Sequence, residues 1–145
     1  MESKLRAATQ LWQFEEIQCE KIQRELQSIH QRYDALTNQL EQLSVLRQNT
    51  GQYINKRERL CRALLLNANQ TSVMLQTTCS HFEQERSILQ AEIRATQDRL
   101  YYKKTRVKGL ENLVHQWRDL QKTTKSKQEL RVVEDIINAR MRFNA

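Results

Sequence analysis

Three cysteines (Cys19, Cys61, Cys79) and three histidines (His30, His81, His115) are the residues best suited to nucleophilic, acid–base or metal chemistry in this chain. Their spacing supports none of it. There is no CxxC pair, no HxxxH and no HExxH, and an odd cysteine count does not build a disulfide framework. All three cysteines fall on apolar seam positions, where a free thiol behaves as a small hydrophobe. The two glycines, Gly51 and Gly109, are too few for a glycine-rich phosphate loop. The sequence predicts no catalytic residue, metal site, cofactor or small-molecule substrate.

The remaining chemistry is recognition by charge. The formal net charge is +7. Between residues 99 and 127 nine basic residues (Arg99, Lys103, Lys104, Arg106, Lys108, Arg118, Lys122, Lys125, Lys127) stand against Glu111 and Asp119, so this segment carries the whole excess. A solvated helix face is the plain reading. Nucleic acid would use such a patch, with Tyr101 and Tyr102 stacking on bases. A Leu/Val/Trp stripe beneath the charges is not what phosphate binding requires, so nucleic acid is the less favoured partner. A protein surface that is acidic and partly apolar suits both features.

The elements that position these charges are read from two heptad seams. The first runs Leu5, Ala8, Trp12, Glu15, Cys19, Ile22, Leu26, Ile29, Tyr33, Leu36, Leu40, Leu43, with Glu15 its one polar member. The second runs from Ile54 to Trp117 through Cys61, Leu65, Ala68, Leu75, Cys79, Phe82, Leu89, Ile93, Leu100, Val107, Leu110 and Val114, interrupted by Glu58, Ser72, Arg86, Thr96 and Lys103. Alternating three–four spacing marks a coiled coil, and no proline breaks either helix. The predicted fold is all-α: one domain, 1–145, an antiparallel two-helix coiled-coil hairpin with a longer second helix. Helix 1 covers about 3–48, a turn about 49–52 and helix 2 about 53–121, with a weaker helix to about 142. The turn is assigned to Asn49, Thr50, Gly51 and Gln52 because glycine suits the residue just past a helix end. No secretion signal or membrane-length apolar run is read, so a cytoplasmic location without membrane insertion is expected.

Folding about Thr50 and Gly51 pairs residues whose numbers sum to 101. Every seam a position then faces a d position, and Glu15 faces Arg86, predicting an ion pair that would fix the register. In that register helix 1 ends opposite Thr96. About forty residues of helix 2 would project, roughly 60 Å if helical, with an unpartnered apolar stripe. Leu66, Val73 and Met74 suggest a second, shallower docking face.

The stretch Leu100–Gln121, LYYKKTRVKGLENLVHQWRDLQ, resembles the C-terminal part of the flagellar FliJ family and the related YscO and InvI/SpaM-type stalk proteins of injectisomes. The resemblance rests on a bulky residue, a basic run and an R-V-K-x-L-E-x-L pattern: Leu100, Lys103, Lys104, Arg106, Val107, Lys108, Leu110, Glu111 and Leu113. Gly109 and a short turn are departures, and the short turn leans toward an injectisome member. The resemblance implies a non-enzymatic central stalk at the cytoplasmic face of a bacterial type III secretion or flagellar export apparatus. Such a stalk inserts into the hexameric export ATPase, links it to the cytoplasmic domain of the export gate and handles export chaperones. The ring contacts it implies are Lys103, Lys104, Arg106 and Lys108, with Tyr101, Leu110, Val114 and Trp117 as an apolar footing. An export chaperone or escort coiled coil and a nucleic-acid-associated basic coiled coil are the alternatives.

Overall fold

The computed structural model describes residues 2–56 and 62–144, with the side chains of 54–56 outside the description. It consists of two helices, α1 (Glu2–Lys56) and α2 (Arg62–Asn144). They pack as an antiparallel hairpin with the longer helix second, as the seams predict. No strand occurs among the described residues.

Both seams lie where the heptads put them. Every first-seam residue from Leu5 to Leu43 is buried or half-buried, as is every second-seam residue from Ala68 to Trp117. Leu65, also placed on the seam, is exposed. The seam assignments of Glu58 and Cys61, and the side chain of Ile54, lie outside the described residues.

The turn and the register differ from expectation. Residues 49–52 are helical, the Thr50 hydroxyl donates to the Leu46 carbonyl at 2.8 Å, and neither glycine has positive φ. Gly51 is therefore an interior helix residue, and α1 runs on to Lys56. An interior glycine costs about 1 kcal/mol relative to alanine. Carrying α1 onward covers more seam: Arg47, Thr50 and Gly51 share a groove with Ala68, Ser72 and Leu75.

The hairpin divides into two compact units: Met1–Lys21 with Tyr101–Ala145, and Ile22–Leu100. In the second unit Ile22, Leu36, Ile93, Thr96 and Leu100 form the buried centre, and Arg99 reaches Glu25 at 3.8 Å on the surface. In the first unit Ala8, Glu15 and Val114 are buried, Val114 completely at 0% exposure, and the Trp12 ring lies 6.3 Å from that of His115.

Candidate partner-binding surface

Glu15 is 4% exposed. Lys103 Nζ donates to its carboxylate at 2.8 Å, and Arg106 Nε stands 3.6 Å away. The predicted Glu15–Arg86 pair is not formed. Arg86 belongs to the other unit, half-buried in a groove with Leu40, Glu41, Cys79 and Glu83. The numbers paired by these ion contacts sum to 118 and 121 in the first unit and 124 in the second. The a-facing-d condition recurs every seven residues, so a sum of 122 satisfies it as well as 101 does. The two registers differ by three heptads and present the same apolar pattern. At 101 Glu15 faces Arg86, whereas at 122 it faces Val107 and takes its cations from Lys103 and Arg106 alongside, so matching one polar exception to another favoured the register that does not form.

This register moves the ring-contact residues expected on a projecting arm. Leu110, Val114 and Trp117 sit on the seam, covered within the hairpin, and are not an apolar footing for a partner. Lys103 is committed to Glu15 and Arg106 is drawn toward it. Tyr101, 76% exposed, stays on the outside with Lys104 and Lys108. Beyond Trp117 every described residue is exposed except half-covered Gln121. The free part of α2 is thus 118–144, shorter than expected. It keeps Arg118, Lys122, Lys125 and Lys127 of the basic segment and exposes Leu120, Leu130, Val132, Val133, Ile136, Ile137, Met141 and Phe143.

Leu66, Val73 and Met74 are exposed as expected, Met74 at 70%. Leu65 and Leu66 line a shallow groove with Arg62, Ala68, Asn69 and Ser72. Sequence reasoning missed two other sets of exposed apolar residues: Leu11, Phe14 and Ile17 in the first unit, and Val45, Leu46 and Tyr53 in the second. The signal for the first set was present, since three apolar residues recur at intervals of three among Gln10, Gln13 and Gln18, off the seam.

The Cys19 thiol is pushed above its ordinary value, first by burial and then by the Glu15 carboxylate, with Lys103 and Lys104 pulling the other way. A thiol held protonated is a poor nucleophile and ligand. Among the described residues no group of three or more His, Cys, Asp or Glu could hold a metal ion, and no helix is long and apolar enough to cross a membrane. The surface can bind through charge and apolar contact.

No family model, curated protein or solved structure matches this chain.

Proposed function

We propose that this protein is a non-enzymatic stalk of a type III secretion or flagellar export apparatus, acting at its cytoplasmic face. It engages the hexameric export ATPase and links it to the export gate. The observation that carries the reading is the free end of α2. Residues 118–144 leave the hairpin as one exposed helix that is basic at its base and apolar further on. A single helix of that kind suits a narrow ring lined with acidic and apolar side chains. Charge speeds its entry without fixing it at one of six sites. The resemblance of Leu100–Gln121 to FliJ and injectisome stalks supports the same role.

The contact assignment changes with the register. Tyr101, Lys104 and Lys108 on the outer face, and Arg118, Lys122, Lys125 and Lys127 on the arm, are available to a ring; Lys103 is not. The test is the hydrolysis rate of a type III export ATPase titrated with this protein. Saturating stimulation at substoichiometric protein is expected. It should be weakened by Lys104→Glu with Lys108→Glu and abolished by deleting 118–144. An unchanged rate with no binding would overturn the stalk reading.

A second reading, an export chaperone or escort, draws on the exposed apolar sets at Leu11, Phe14 and Ile17 and at Val45, Leu46 and Tyr53. A helical client co-purifying at fixed stoichiometry, and lost on Phe14→Glu, would favour it.

A further inference from the structure

At 100° per residue, Leu130, Val133, Ile137 and Met141 fall within an arc of about 80°. All four are about half exposed or more, and none of the described residues buries them. This face is not a continuation of the seam that α2 presents to α1. The three–four spacing through Val114 and Trp117 would continue to Gln121, Thr124 and Gln128, all polar. The arm therefore carries a separate seam, turned away from that of the hairpin.

The charges beside the new seam are ordered. Residues 128–135 contain Glu129, Glu134 and Asp135 against Arg131, a net of −2. Residues 136–144 contain Arg140 and Arg142 and no acid, a net of +2. Acidic first and basic second is the polarity that matches its own reverse. When two such helices run antiparallel with Val133 opposite Ile137, Leu130 meets Met141 and the apolar faces close on each other. Glu129 and Arg140 share one edge of the seam, so each Glu129 comes opposite Arg140 of the second copy, and the two-fold axis forms the pair twice. The other edge is mixed, with Lys127, Arg131 and Glu134. A parallel pair would instead bring the Glu129 edge of one copy against the Glu134 edge of the other, setting carboxylate beside carboxylate, which is unfavourable.

We propose that residues 127–144 are a self-association surface whose partner is a second copy of this chain, packed antiparallel through Leu130, Val133, Ile137 and Met141 with reciprocal Glu129–Arg140 pairs. The contact is short, a few heptads of one helix, and so yields a weak, reversible dimer that dissociates on dilution. It covers the apolar part of the arm, and a dimer withholds that part from any other partner. The inference does not rest on the stalk reading.

The test is sedimentation equilibrium of the full chain over a wide concentration range. A monomer–dimer equilibrium is expected. Ile137→Glu should leave monomer only. Glu129→Arg and Arg140→Glu should each weaken the dimer about tenfold, and the doubly swapped chain, E129R with R140E, should recover it. All three positions are exposed, and unchanged melting of each variant shows that the hairpin is intact. Monomer at every concentration would overturn the proposal and leave the face to a different protein. A dimer that survives Ile137→Glu, or a double swap no tighter than the single variants, would overturn it too.

Discussion

Glu15 holds its place through its neighbours, and its two cations differ from it in one respect that sets what substitution does. The carboxylate is enclosed, whereas Lys103 and Arg106 both reach partly into solvent. Lys103→Ala leaves a buried carboxylate with Arg106 at 3.6 Å as its nearest remaining cation, and should cost about 1–3 kcal/mol in a thermal melt. Glu15→Leu should be close to neutral or stabilising, because both cations can turn to water while an apolar side chain fills the seam. Equal losses from the two changes would contradict this asymmetry. Cys19, the next seam residue in the same unit, carries a pH signature. Its folded value is raised, so the neutral thiol's contribution to stability is fully present below the ordinary thiol value and lost as pH rises through the raised one. Alkylation of Cys19 should be slow at neutral pH and accelerate only under alkaline conditions, and Glu15→Gln should bring that acceleration to lower pH. At this scale the sequence was legible in part. That Glu15 needs a cation could be read from its place in an apolar seam; which cation it takes could not. That choice depends on a register fixed by contacts far along the chain.

The two helices show what heptads determine and what they leave open. Which residues face inward was readable almost position by position, because only a three–four repeat keeps one stripe on the partner over many turns. Register was not, since every slip by whole heptads preserves the apolar match. The choice fell to the location of the turn, and Gly51 was a misleading guide. A glycine marks a helix end when the chain needs a left-handed residue there, and here it does not. Substitution separates the two cases. At a left-handed cap, Gly51→Ala would destabilise. In the helix interior, with nothing within 4 Å of the added methyl group, it should stabilise by about 1 kcal/mol, and Gly109→Ala should do the same. A lowered melting temperature for Gly51→Ala would put the connection back at 49–52. The exposed set Leu11, Phe14 and Ile17 was not legible because single off-seam apolar residues are ordinary on a helix surface. Only burial, which sequence does not give, shows that they remain uncovered.

For the whole molecule, function depends on surface left over once the hairpin is made. The register places Leu110, Val114 and Trp117 inside and leaves 118–144 outside, so the proposed ATPase engagement and the proposed self-association would both use the same terminal helix. If deletion of 118–144 removes ATPase stimulation while the hairpin still melts as before, binding and folding reside in separable parts of the chain. One further consequence comes from the placement of the aromatic residues. The only two tryptophans, Trp12 and Trp117, both belong to the unit built from residues 1–21 and 101–145, and the unit spanning 22–100 has none. Indole fluorescence is therefore a local optical probe of one unit, while far-ultraviolet circular dichroism registers helix throughout. Denaturation followed in both signals at once needs no added label. Coincident curves would mean that the two units unfold as one cooperative body, and an emission change that precedes or lags the loss of ellipticity would resolve them as separate foldons.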